Sequence, residues 1–137
     1  MDFQISEVDL EVEWEELFAA EWAAWTHPHQ AIWELMFPVL GTSPGAELET
    51  IKNGAALQLA GTKADPYSRW IKIVDRTNGK IVAGALWKFY PSNPYRAPMD
   101  RFEATWYPEG ELRVLATSMY EQLRAWRPRT MATAHAC

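Results

Sequence analysis

β-Branched and aromatic residues dominate two runs in the middle of the chain, residues 70–74 and 81–90. The segment between them, residues 75–80, contains an Asn-Gly pair, and both residue types readily adopt the positive φ that a tight turn between twisted strands requires. The pattern therefore predicts a β-hairpin at the centre of a small antiparallel sheet. Alternating apolar and polar residues over 2–7 predict the first strand of that sheet.

Apolar residues recur at helical spacing in four further segments. They predict helices over about 10–25, 29–40 and 46–64, and a last helix between Pro108 and Pro128. Pro38 lies inside the second segment and predicts a kink or an early stop, whereas Gly54 and Gly61 each weaken the third helix by about 1 kcal/mol. We therefore predict an α+β fold, with a small antiparallel sheet of about three strands packed by about four helices. We expect residues 1–130 to form one domain and residues 131–137 a flexible tail.

Composition narrows the class of protein. Hydrophobic residues make up 48% and aromatic residues 13% of the 137-residue chain, which is typical of a compact globular protein. No apolar run approaches the ~20 residues of a membrane-spanning helix, and no signal-peptide pattern opens the chain, so we expect no membrane partner and no secretion. The single cysteine, Cys137, excludes an internal disulfide framework and favours a reducing compartment. We expect a cytoplasmic protein.

Charge is distributed unevenly along the chain. Residues 1–51 contain eleven Asp and Glu and no Lys or Arg, whereas residues 52–137 contain seven Asp and Glu and all thirteen Lys and Arg. The acidic segment either packs near basic parts of the same chain and keeps it in solution, or forms an acidic lip that attracts a cationic substrate or partner. The basic residues are scattered and form no recognised reader motif, so we expect no nucleic-acid partner.

Three blocks of the sequence resemble one protein family. They are D-R-T-N-G-K-I-V-A-G-A-L-W-K over residues 75–88, E-W-E-E-L-F-A-A-E-W-A-A-W followed by F-P-V-L-G over residues 13–41, and W-Y-P-E-G-E-L-R-V-L-A-T over residues 106–117. Their order and spacing resemble those of the GNAT superfamily of N-acetyltransferases, in particular its fungal branch. The resemblance covers nearly the whole chain and implies the N-terminal half of that fold.

The resemblance stops before the half of the GNAT fold that binds acetyl-CoA. In that family a later strand carries catalysis, and the turn after it holds R/Q-x-x-G-x-G/A, whose backbone N–H groups bind the pyrophosphate. The near match in this chain, residues 58–63, lies before the hairpin in a predicted helix. We therefore expect no cofactor and carry over no cofactor-binding residue. The resemblance also implies that strand 81–90 lacks its usual neighbour, and an open apolar edge predicts a homodimer or a complex.

Two histidines are the most reactive candidates. His27 and His29 flank a proline in a loop that the resemblance places beside the acceptor-substrate pocket. One histidine assisted by a carboxylate such as Glu21 or Glu34 is sufficient for general acid–base catalysis. Alternatively, both histidines simply cap a helix–loop junction. Because the remaining ligand candidates His135 and Cys137 are far away in the sequence, we predict no metal site.

A second candidate region precedes the last helix. Glu109 and Glu111 form an acid–base pair if the neighbouring Trp106 and Tyr107 raise a carboxyl pKa, or cap the helix N-terminus if they do not. Tryptophans are core residues first, yet eight in so small a chain suggest that some line an apolar cavity. The candidate substrate-binding residues are Trp25, Trp33, Trp87, Trp106 and Tyr107.

Three functional hypotheses follow. The first is a small-molecule-binding domain without an acetyl-CoA site, acting as a cofactor-free isomerase or cyclase on an apolar metabolite. Its catalytic candidates are His27, His29, Glu21 and Glu109. The second is a truncated N-acetyltransferase that is inactive alone or completed by a partner chain. The third is a non-catalytic dimerisation or interaction module that uses the open strand edge.

Overall fold

The predicted hairpin supplies the central strand and one edge strand of a three-stranded antiparallel sheet in a computed structural model that describes residues 2–96 and 99–133. The strands are β1 (Phe3–Glu7), β2 (Ser68–Asp75) and β3 (Lys80–Lys88), in the order β1-β2-β3. Ile73 lies opposite Ile5 on one side and Ala83 on the other, and a bulge follows between Ile73 and Val74. The α+β prediction is confirmed.

The hairpin turn depends on one glycine and one carboxylate. Gly79 has a φ of +74°, whereas no other residue type has a positive φ in the described part of the chain, so Asn78 does not use the conformation that we expected of it. Asp75 Oδ1 accepts hydrogen bonds from the N–H of Thr77 (2.9 Å) and its hydroxyl (2.6 Å). These bonds hold the pKa of Asp75 below its usual value. Asp75 therefore organises the turn from its first residue.

Four α-helices accompany the sheet: α1 (Trp14–Thr26), α2 (Ala31–Met36), α3 (Ala46–Ala64) and α4 (Glu111–Met131). Helix α1 begins four residues later than predicted, because residues 9–13 form a turn in which Glu13 Oε2 accepts the N–H of Asp9. Helix α2 ends at Met36, before Pro38, as the early stop predicts. Pro128 does not end α4, which continues for three more residues to Met131, whose carbonyl accepts a hydrogen bond from Asn93 (2.7 Å).

The chain divides into two compact units, residues 1–89 and 90–137. The first unit has two buried clusters. One joins the sheet to α1 and the other joins α1, α2 and the loop after α2; they consist of Val8, Trp14, Leu17, Trp70 and Ile81, and of Phe18, Trp22, Trp33 and Phe37. Ala55 of α3 packs against both. The aromatic residues of the first unit therefore fill its core more than they line a cavity.

Two glycines allow this close packing. A Cβ on Gly84 of β3 would lie 2.4 Å from Leu17 Cδ1, and a Cβ on Gly54 of α3 would lie 2.7 Å from Phe37 Cδ1. Gly54 lowers helix propensity but is required where the ring of Phe37 meets α3.

The second unit packs α4 against the segment before it. Ala104 is fully buried, and its N–H donates to Thr117 Oγ1 (3.0 Å). Phe102 stacks on Tyr120 with ring centroids 4.3 Å apart. The predicted tail starts inside α4, and residues 134–137 lie outside the described residues. Among the helices described, none is long and apolar enough to cross a membrane.

Candidate functional site

The two histidines lie in the loop between α1 and α2. His27 is exposed, and its Nδ1 lies 3.0 Å from the hydroxyl of Thr26. His29 Nε2 lies 3.6 Å from Glu34 Oε2, and both side chains are more than half exposed. The carboxylate next to a histidine is therefore Glu34, and within the described chain no hydrogen bond or ion pair links either histidine to Glu21.

Glu21 lies on the side of α1 that faces Gln58 of α3, and its side chain is mostly buried. Burial raises the pKa of the Glu21 carboxyl to about 7, and a hydrogen bond from Gln58 of α3 partly opposes that rise. Glu21 Oε2 and Gln58 Oε1 are both buried and have no hydrogen-bond partner in the described residues. A neutral carboxyl at this place can donate a hydrogen bond to an acceptor, whereas a carboxylate cannot.

The five aromatic candidates occupy three places. Trp25 stacks on Trp33 at 5.7 Å, and Trp33 is only 4% exposed in the cluster with Phe18, Trp22 and Phe37. Trp87 is exposed on β3 and stacks with Phe89 at 6.5 Å. Trp106 and Tyr107 belong to the second unit. Among the three candidates of the first unit, the described contacts therefore join Trp25 to Trp33, and Trp33 is buried.

The acid–base candidate of the second unit faces a cation. The Glu109 side chain is 94% exposed and lies 4.0 Å from Arg113 Nη1. Arg113 also donates from Nε to the carbonyl of Tyr107 (2.7 Å). Trp106 packs instead against Phe102 and Tyr120. Glu109 therefore lies in solvent beside a guanidinium, and its exposure does not fit the predicted aromatic wall.

An ion pair between a buried lysine and a partly exposed glutamate connects the sheet to the start of α1. Lys72 lies in the middle of β2, is almost fully buried, and donates from Nζ to Glu13 Oε1. The hydrogen bond from Lys72 holds the pKa of Glu13 below its usual value. Since Glu13 also closes the turn before α1, this pair fixes where the helix begins on the sheet.

On the outer edge of the hairpin, along β3, only some of the backbone groups have hydrogen-bond partners among the described residues. β3 pairs with β2 on one side, and every β3 residue except Ile81 is exposed. Phe89 donates its N–H to the carbonyl of Tyr67 (3.0 Å), and backbone groups alternate between the two sides of a strand. Gly84, Leu86 and Lys88 therefore direct their N–H and C=O groups away from β2.

Helix α1 covers the other end of that edge. Glu16 Oε1 accepts the backbone N–H of Ile81 (2.9 Å), a contact between residues 65 positions apart. Leu17 packs on Gly84 beside it. The free part of the edge is thus limited to Gly84–Lys88, which we call the open edge.

A groove that the sequence pattern did not predict lies between α1 and α3. It encloses about 700 Å³, and its walls come from three parts of the first unit. The lining residues are Leu10, Glu11, Val12, Trp14, Glu15, Phe18, Leu48, Ile51, Lys52, Ala55, Ala56 and Leu59. The sequence signal was present, because six of these residues are spaced helically along α3, but such spacing also describes a helix face buried in a core.

Comparisons with known proteins find no protein that is similar to this chain. No protein-family model, no curated protein and no solved structure matches the chain. Within residues 2–96 and 99–133, no three His, Cys, Asp or Glu side chains are grouped as metal ligands. His135 and Cys137 lie outside the described residues.

Proposed function

We propose that the first unit is a dimerisation module in which the open edge of β3 pairs with the same edge of a second copy. The observation that carries the proposal is the set of backbone groups at Gly84, Leu86 and Lys88, on an exposed strand, that face away from β2 and have no hydrogen-bond partner among the described residues. An edge of this kind is a template for strand addition from another chain. This is the third of the functional hypotheses, and it assigns the domain no reaction.

A twofold axis at Leu86 gives this pairing one consistent register. Leu86 then meets Leu86 of the partner subunit, and Gly84 meets Lys88 of the partner subunit. Antiparallel strands exchange two hydrogen bonds at each such pair, so the interface would contain about six backbone hydrogen bonds. Lys88 already pairs with Asp65 (2.6 Å), so its charge is compensated at the interface.

The exposed side chains of Ala85 and Trp87, which lie on one face of β3, fit the same register. Trp87 would lie opposite Ala85 of the partner subunit, which places a large side chain against a small one. Trp87 and Phe89 are 56% and 60% exposed, and pairing reduces that exposed apolar area. Ile81 is outside the paired stretch, so its bond to Glu16 is retained.

Sedimentation velocity of the full chain at micromolar concentration tests the proposal. We expect a dimer for the wild type. Leu86→Pro should give a monomer, because proline removes an N–H that points away from β2 and breaks no bond within the sheet. Leu86→Thr keeps that N–H and is the matched control, which should remain dimeric.

A second variant tests the interface without proline, in case Leu86→Pro fails to fold. Ala85 is exposed, so Ala85→Trp leaves the protomer intact but places two large side chains opposite each other in the proposed register. We expect weaker dimerisation with an unchanged circular dichroism spectrum. A wild type that stays monomeric, or an Ala85→Trp dimer as stable as the wild type, would show the proposal to be wrong.

The other hypotheses stay predictions. The resemblance to GNAT acetyltransferases implies an ancestry, and acetyl-CoA that raised the melting temperature of the chain would support transferase activity. A small apolar metabolite that raised it without a response to acetyl-CoA would support an isomerase or cyclase. The cytoplasmic location is likewise a prediction.

A further inference from the structure

We propose that the groove between α1 and α3 binds an amphipathic helix of a partner protein, with basic residues along the flank of that helix that faces α1. The site is separate from the open edge of β3. The proposal rests on the spacing of the lining residues, on the depth of the apolar floor and on the charges of the two walls.

The α3 wall has the periodicity of a helix-packing surface. Its lining residues fall at i, i+3, i+4, i+7, i+8 and i+11, and they are Leu48, Ile51, Lys52, Ala55, Ala56 and Leu59. This stripe extends for about three helical turns, or about 16 Å at 1.5 Å per residue. A partner helix of about eleven residues matches that length, and ridges of such a helix pack between two neighbouring helices.

The floor is apolar and the margins are apolar as well. Trp14 and Phe18 close the bottom and are buried, and the Trp14 indole N–H already donates to the carbonyl of Ala55 (2.8 Å). Val12 and Leu48 at the margins are 77% and 60% exposed. Exposed aliphatic residues above a buried aromatic floor are typical of grooves that hold the apolar face of a helix.

Charge determines which helix fits. The wall opposite α3, made by α1 and the turn before it, carries Glu15 and Glu11 and no basic residue, whereas Lys52 is the basic lining residue on α3. Glu11 is already paired with Lys63 at 2.6 Å, whereas Glu15 has no ion-pair partner among the described residues. A basic flank on the bound helix would therefore compensate Glu15, and this contact would also fix the orientation of the helix.

Two model peptides of about fourteen residues test the proposal with the full chain. One has leucines along one face and lysines elsewhere, and the other has glutamates in place of the lysines. Titration followed by tryptophan fluorescence gives the affinity, and circular dichroism reports helix formation on binding. We expect the lysine peptide to bind at least about tenfold more tightly than the glutamate peptide.

Three variants locate the bound peptide. Ala56→Trp fills the groove and should weaken lysine-peptide binding at least about tenfold, whereas Ala19→Trp, at an exposed α1 position outside the groove, should leave it unchanged. Glu15→Lys should narrow or reverse the preference for the lysine peptide.

Each other outcome overturns the proposal. Equal binding by Ala56→Trp and Ala19→Trp would place the peptide elsewhere, and equal affinity for both peptides would remove the charge argument. No binding of the lysine peptide at about 1 mM would exclude a helix site. If Ala56→Trp instead converts a wild-type dimer into a monomer, the groove is covered by a second copy of the chain. Leu86→Pro, which acts at β3, should bind the peptide normally and so separates this proposal from the dimer.

Discussion

Glu21→Gln should stabilise the protein strongly at pH 8 and much less at pH 5. The folded chain holds the pKa of Glu21 at about 7, compared with an ordinary value of 4.5, mainly because burial disfavours the carboxylate. Between pH 4.5 and pH 7 the unfolded chain is therefore ionised at this position while the folded chain keeps its proton. The folded state binds more protons, so the free energy of unfolding falls as the pH rises.

The size of the effect follows from the pKa difference. At 1.36 kcal/mol for each pKa unit, the rise to about 7 corresponds to about 3 kcal/mol of lost stability above pH 7. Below pH 4.5 both states are protonated, and the cost disappears. Glutamine is neutral at every pH and has nearly the same shape. Its amide N–H can also donate to Gln58 Oε1, which has no hydrogen-bond partner in the described residues.

Urea unfolding followed by tryptophan fluorescence, at one protein concentration and at pH 5, 6, 7 and 8, measures this difference. We expect the gain in the free energy of unfolding of Glu21→Gln over the wild type to rise from about 1 kcal/mol at pH 5 to about 3 kcal/mol at pH 8. The three histidines are common to both proteins, so their contributions cancel. Glu15→Gln, at an exposed position of the same helix, is the control and should show no such rise. A difference that is the same at pH 5 and pH 8 would refute a buried, proton-binding Glu21.

Two further predictions concern the packing at Gly84 and the ion pair between Lys72 and Glu13, and urea unfolding at pH 7 measures both. Gly84→Ala should lower the free energy of unfolding by about 1–3 kcal/mol, because the new methyl group would overlap Leu17. A shorter side chain at Leu17 should recover part of that loss. An unchanged urea midpoint for Gly84→Ala would contradict the close approach of Leu17 to β3. Glu13→Ala should lower the free energy of unfolding by about 3 kcal/mol, because it leaves the buried Lys72 without its carboxylate. The double variant that also carries Lys72→Met should recover most of that stability. If the single and double variants are equally unstable, the charge of Lys72 is not the cause.

The elements with strong local signals were predictable from the sequence. The Asn-Gly turn and its flanking β-branched residues identify the hairpin, and α3 has the predicted bounds, Ala46–Ala64. The start of α1 was not predictable, because the apolar spacing continues through Leu10 while the turn at residues 9–13 depends on Glu13, which is held by Lys72 from a distant strand. Pattern alone gives no account of such long-range contacts.

In the candidate site, too, the sequence predicts which neighbouring residues lie together but not which distant residues they contact. His27 and His29 are together in sequence and in the structure, but Glu21 is directed to Gln58, 37 positions further along the chain. The burial that raises the pKa of Glu21 arises only when α3 packs on α1. Likewise, helical spacing on α3 identifies an apolar face, while the neighbouring helix decides whether that face is core or groove.

The protection of β3 at one end explains why pairing at its open edge would have a single register. Strands with both ends free can slip by two residues and keep the same faces together. Here Glu16 already occupies the N–H of Ile81, so a partner strand that moved toward the turn would have to displace a carboxylate. A shift in the other direction would replace the contact of Trp87 with Ala85 by a less complementary one. A free edge of only five residues therefore favours a closed dimer over continued strand addition.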